Sequence, residues 1–160
     1  MMLDEVLYQK YVEFQKEGSL IVMEDPVLDM NKVADAVFDY IHQKEYYPVA
    51  IGYDVYNAEG FIKKWELSMP YATPTRVIQG ARTESVPLGD IKTMARNRTL
   101  HFHQKIMQFT MGNCCVKEDT NGNKMLYKKN RESKIDCVAA LIDAFVGYER
   151  FRDKFNELRG

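Results

Sequence analysis

Residues 48–53, Pro-Val-Ala-Ile-Gly-Tyr, form a short apolar run between two segments of helical periodicity. Upstream, Asp29 is a good N-cap for a helix over 30–43, with Met30, Val33, Val37, Tyr40 and Ile41 as its stripe. Downstream, Asn57 can cap a helix carrying Phe61, Ile62 and Trp65. A brief apolar run between helices reads as a buried strand. Residues 76–79 repeat the pattern, and 19–23, Ser-Leu-Ile-Val-Met, read as a further strand. Alternation of this kind predicts an α/β fold with a partly parallel sheet.

The remaining segments fit that class. Residues 5–16 suit a helix with Leu7, Tyr11 and Phe14 on one stripe, ended by Gly18. Residues 85–98, with Pro87 near the start, and 103–111 suit two more. Asn121-Gly122 signals a type I′ hairpin turn within 113–127. A mostly apolar helix then spans about 133–151, with Ile135, Val138, Ile142 and Phe145 on one face. No repeat or low-complexity linker divides the chain, so residues 1–160 are read as a single domain. With 46% hydrophobic residues, eight Phe and ten Tyr, the chain can build a core and is not a disordered tail.

Several function classes are disfavoured. No apolar run approaches the length of a membrane span. The three cysteines, Cys114, Cys115 and Cys137, lack zinc spacing or a disulfide framework, and their apolar neighbours suggest buried thiols. A reducing cytoplasm is the simplest home. His101 and His103 lack partners at zinc-ligand spacing. No Gly-rich phosphate loop ending in Lys-Ser/Thr is present, which argues against ATP hydrolysis by this chain.

The net charge is −1, but its distribution is uneven. Residues 1–75 hold six Lys/Arg against thirteen Asp/Glu; residues 76–134 hold twelve against five. Such a split can present one basic face, although charge also fluctuates along any chain. Lys128, Lys129, Arg131 and Lys134 run between the hairpin and the 133–151 helix. They read either as a cradle for a phosphate backbone or as a solvated hairpin base.

Two carboxylates stand out. Asp54 follows the apolar strand, where ligands gather in open α/β sheets; its alternative role is to cap the following turn. Asp136 begins an apolar helical stretch. A buried Asp there needs a partner or a metal, whereas a first-turn Asp facing water does not. Together they could hold a hard divalent cation such as Mg²⁺, and paired-metal phosphodiester hydrolysis uses such a cluster. The carboxylates are then expected within about 8 Å of each other. Asp136→Asn is expected to leave stability unchanged or slightly raised by relieving repulsion.

The run Gly52-Tyr53-Asp54-Val55-Tyr56-Asn57-Ala58 resembles the Tyr-Asp-Pro-Trp-Asn-Ala signature of the large terminase subunits of tailed phages. Gln79-Gly80, Asn113, Asn121-Gly122-Asn123, Lys128-Lys129 and Ser133-Lys134-Ile135-Asp136 with Val138-Ala139-Ala140-Leu141 resemble further blocks in the same order. Tyr11-Val12-Glu13, Glu17-Gly18 and Asp29 fit upstream, so the resemblance covers roughly residues 8–150. Val55 and Tyr56 stand where the signature has Pro and Trp.

The resemblance implies the C-terminal nuclease domain of a DNA-packaging motor, with a ribonuclease H-like mixed sheet flanked by helices. It implies an endonuclease, in the intact protein, that cuts concatemeric double-stranded DNA by two-metal hydrolysis with Mg²⁺ or Mn²⁺. By motif position Asp54 and Asp136 would be metal ligands and catalytic, with Lys128, Arg131 and Lys134 steering DNA. The terminase ATPase domain, small subunit and portal would be partners in the host bacterial cytoplasm. The family's first-strand acidic ligand has no counterpart before Leu7, which implies an N-terminally incomplete domain without the ATPase half. Two other readings follow: a non-catalytic truncated remnant serving DNA binding or motor assembly, and an accidental resemblance in an α/β domain that binds protein through aromatic surface.

Overall fold

The computed structural model describes residues 5–158. Helix α1 (Glu5–Glu17) ends in a Schellman motif: Ser19 N–H donates to Phe14 C=O, Gly18 N–H donates to Gln15 C=O, and Gly18 takes φ +79°. The expected strand at 19–23 does not form. Ile21 and Val22 are 61% and 54% exposed, and β propensity without a strand to pair with leaves the run irregular.

Helix α2 (Met30–Gln43) starts at the expected cap, with Asn31 N–H donating to Asp29 Oδ1 at 2.9 Å. Its buried face is Ala34, Phe38 and Ile41, while Tyr40 is exposed. The true stripe is therefore rotated from the one read in the sequence. Strand β1 (Ala50–Asp54), helix α3 (Glu59–Ser68) and strand β2 (Thr73–Val77) form a βαβ unit with β1 and β2 parallel, Ala50 opposite Thr73 and Asp54 opposite Val77. Pro74 is tolerated in β2 because Thr73 N–H donates to Val49 C=O, so alternate residues point their amides away from β1. The N-cap of α3 is Ala58; Asn57 instead takes φ +58°, a conformation Asn accepts more readily than most residues.

Ala34, Phe38, Ile41, Trp65, Met69 and Ala72 form the core between α2, α3 and the start of β2. Trp65 is 2% exposed, packs on Phe38 and Phe61, and donates its indole N–H to Ala72 C=O at 2.9 Å. Trp65→Phe leaves a void and an unpaired buried carbonyl, so urea unfolding should show a loss of about 2–3 kcal/mol. A change below about 0.5 kcal/mol would show that this bond and ring are replaceable.

Helix α4 (Ala81–Arg96) starts four residues earlier than expected, and Pro87 lies inside it. Helix α5 (Lys105–Gly112) packs Phe109 on Phe14 of α1, 5.6 Å between ring centres. Strands β3 (Cys114–Glu118) and β4 (Lys124–Lys128) form the expected antiparallel hairpin. Its turn is not type I′, because Gly122 but not Asn121 has positive φ. Asp119 builds it instead, its Oδ1 accepting from the N–H groups of Asn121 and Asn123.

Helix α6 (Asp136–Arg150) crosses β1 and buries Val138, Ile142 and Val146. The chain breaks at Phe151 and continues as the short helix α7 (Arg152–Glu157). The expected mixed α/β architecture is present, with its strands divided between a parallel pair and a hairpin. The outer edge of β1 has no strand partner among the described residues. Among those residues no helix is long and apolar enough to cross a membrane.

Candidate functional site

Parallel pairing brings the carboxyl ends of β1 and β2 together, and the candidate site lies there. Asp54 ends β1. Its Oδ1 accepts from Tyr56 N–H at 3.2 Å and its Oδ2 from Gln79 Nε2 at 3.0 Å. The turn-capping role is thus present, and the second oxygen is held by Gln79. Gln79 lies just past β2 and also lines a cavity of about 200 Å³.

The other walls of that cavity come from α4, β4 and α6: Glu84, Leu126, Lys128, Asp136 and Asp143 among them. Asp136 and Asp143 are two turns apart on α6, so they share one face. Asp136 is exposed in the first turn, where the helix dipole favours its charge. It therefore meets water and the cavity at once. Asp143, two turns on, carries a clear electrostatic load. That carboxyl is half-buried and is pushed up to about 6, first by burial, then by the charges of Asp54 and Glu84.

Asp54 is not a lining residue of this cavity; it borders a separate groove beside Ile51 and Tyr53. Gln79 and Asp143 connect it to Asp136. Gln79 holds Asp54 and lines the cavity with Asp136, and Asp143 feels the charge of Asp54 from the same cavity. Oxygen donors suit a hard cation such as Mg²⁺, which commonly takes one or two carboxylates and completes its shell with water and phosphate. Asp54 and Asp143 offer carboxylate oxygens of that kind. No group of three or more His, Cys, Asp and Glu among the described residues is arranged to hold a metal ion.

The basic residues divide. Lys128 lines both the cavity and a neighbouring surface groove, and Arg131 and Lys129 line only the groove. Lys134 is exposed and lines neither; its C=O accepts from Asn113 Nδ2 at 3.0 Å. Lys117 sits over the Tyr127 ring at 3.3 Å, which leaves Tyr127 as a cation-backed aromatic face on that groove. His101 and His103 are exposed and line none of these surfaces. Cys115 is exposed rather than buried, whereas burial raises the thiol pKa of half-buried Cys114.

Sequence reasoning singled out neither Asp143 nor Glu84. Asp143 had a legible signal, a second acid on the apolar 133–151 segment seven residues after Asp136. Glu84 had none, because its burial depends on the hairpin folding against α4.

Residues 4–151 match the family model described as terminase large subunit, endonuclease domain. The terminase large subunit of Lactococcus phage p2 is 27% identical over 143 residues, covering 87% of this chain and 26% of that protein. The terminase large subunit of Lactococcus phage SK1 matches with the same identity and coverage. The chain thus spans about a quarter of the length of these relatives. The crystal structure of the HK97 bacteriophage large terminase has the same fold, with a TM-score of 0.70 at 16% identity over 89% of this chain and 31% of that one. The chain belongs to the family of terminase large subunit endonuclease domains.

Proposed function

We propose that this domain cleaves double-stranded DNA with the help of Mg²⁺ or Mn²⁺ during phage DNA packaging. The observation that carries the reading is that Asp143, from the crossing helix, feels the charge of Asp54, from a strand end, while Gln79 bonds Asp54 and lines the cavity that Asp143 shares with Asp136. Asp54 and Asp143 would hold a cation, with Asp136 at the cavity wall as a further ligand toward substrate. When bound, the cation would polarise the phosphate and favour a hydroxide nucleophile. Gln79 orients the Asp54 carboxylate. Lys128 attracts the phosphate backbone at the cavity and Arg131 along the groove, while Lys134 adds charge from outside. Within a longer packaging protein in the host bacterial cytoplasm, an ATPase domain, a small terminase subunit and a portal are the expected partners.

A second reading is a module that binds DNA or assembles with the motor without cutting. It draws on the lack of a three-ligand cluster among the described residues and on the hydrogen bonds already made by both Asp54 oxygens. Mn²⁺ calorimetry with plasmid nicking in parallel separates the two. The nuclease reading expects Mn²⁺ binding that weakens at least about tenfold in Asp54→Ala, with nicking lost alongside. Lys128→Ala and Arg131→Ala should each lower the salt slope of duplex binding by about 1. DNA binding without Mn²⁺ binding or nicking would favour the second reading.

A further inference from the structure

Glu84 is only 7% exposed, and both of its carboxylate oxygens are taken by backbone amides from different parts of the chain. Oε1 accepts from Gly80 N–H at 2.8 Å, and Oε2 from Leu126 N–H at 2.6 Å. The neighbouring Ser85 Oγ accepts from Lys124 N–H at 3.1 Å. Lys124 and Leu126 are alternate residues of β4, so their amides face the same strand edge. That edge points away from β3, because the hairpin closes through the intervening pairs: Asp119 N–H to Asn123 C=O at one end and Lys129 N–H to Asn113 C=O at the other. Two adjacent side chains near the start of α4 thus take the place of a neighbouring strand's carbonyls. They satisfy an edge that would otherwise be open.

The Gly80 bond reaches the opposite wall. Gly80 directly follows Gln79, whose side chain holds Asp54. One buried carboxylate therefore fixes the loop that orients Asp54 and the strand that carries Lys128.

We propose that Glu84 is a positioning residue coupling the carboxylate wall of the site to its basic wall. What the coupling serves rests on the nuclease reading; the coupling itself does not. A carboxylate suits the task because it only accepts. In Glu84→Gln one amide keeps its acceptor, while the other faces the new NH₂ group, donor against donor. Ser85→Ala should loosen the hairpin at Lys124 alone.

The test is NMR on the full chain. Wild-type protein should show scalar couplings from the Gly80 and Leu126 amides into the Glu84 carboxyl carbon; absence of both overturns the proposal even if every variant misfolds. In Glu84→Gln, hydrogen exchange at Gly80 or Leu126 should rise about tenfold, the loss of one charge-assisted bond. The Gln79 side-chain NH₂ resonance should move toward its position in Asp54→Ala. Ser85→Ala should raise exchange at Lys124 and leave the Gln79 signal in place. A Gln79 signal unmoved by Glu84→Gln, or moved equally by Ser85→Ala, overturns the coupling. If wild-type protein binds neither Mn²⁺ nor duplex DNA, the nuclease reading fails while these NMR outcomes stay decisive.

Discussion

Gly52→Ala is expected to cost at least about 4 kcal/mol, a large fraction of a domain's total stability. A Cβ at this position would lie 2.0 Å from the Asp143 carbonyl oxygen and 2.5 Å from its carbon. Both atoms are backbone, so no rotamer change can relieve the overlap. A normal carbon–oxygen approach of about 3.3 Å would require β1 and α6 to separate by more than an ångström. That movement would unpack Val138, Ile142 and Val146 and shift Asp143 away from Asp54.

Gly147 is the internal control, since it faces Gly52 at the same crossing. A Cβ there would sit 3.5 Å from Gly52 N and 3.9 Å from Gly52 Cα, which is ordinary contact. Gly147→Ala also gains up to about 1 kcal/mol of helix propensity. It should fall within about 1 kcal/mol of wild type in urea unfolding. A folded Gly52→Ala with wild-type stability would show that α6 does not approach β1 this closely.

The second large effect is at Asp143, where stability and metal affinity should move in opposite directions. The native state holds the Asp143 proton more tightly than the unfolded chain does, because its carboxyl is pushed up to about 6. The stability this group contributes is therefore greatest at low pH and declines as pH rises from about 4 through about 6. At pH 7 the half-buried charge is a cost. The full displacement corresponds to about 2–3 kcal/mol, but solvent screens part of it, so Asp143→Asn should raise metal-free stability at pH 7 by about 1 kcal/mol. The gain should shrink toward zero near pH 4. Glu149 adds a pH dependence of the same sign, its carboxyl raised by burial and by the hydrogen bond with Asp90, so the informative quantity is the difference between variant and wild type.

The same substitution should weaken Mn²⁺ binding by about 100-fold or more, since an amide lacks the charge a hard cation needs. Wild-type binding should itself weaken below about pH 6 as protons compete. A large stability loss in Asp143→Asn at pH 7 would mark the residue as structural. Unchanged Mn²⁺ affinity would remove it from the metal site.

Much of the local architecture was readable from residues alone. Asp29 capping α2, Gly18 ending α1 and the 3.6-residue period of α6 depend on interactions within a few positions of the chain. Asp54 at a strand end and Asp136 at a helix start were legible for the same reason. The errors fell where a distant partner decides. The 19–23 run has strand propensity and nothing to pair with among the described residues, and the buried face of α2 is rotated by its packing against α3.

The sequence by itself thus determined the α/β class, most element positions, and the placing of Asp54 at a strand end and Asp136 at a helix start. Only the tertiary structure decided that α6 lies against Gly52, that Asp143 shares a cavity with Asp136 within reach of the Asp54 charge, and that Glu84 joins the hairpin to the β2–α4 loop. Helical period, caps and turn chemistry act between near neighbours and are written into short stretches of chain. Burial of a charge and the sharing of a carboxylate between two amides arise only when distant segments meet, and no local pattern encodes that meeting.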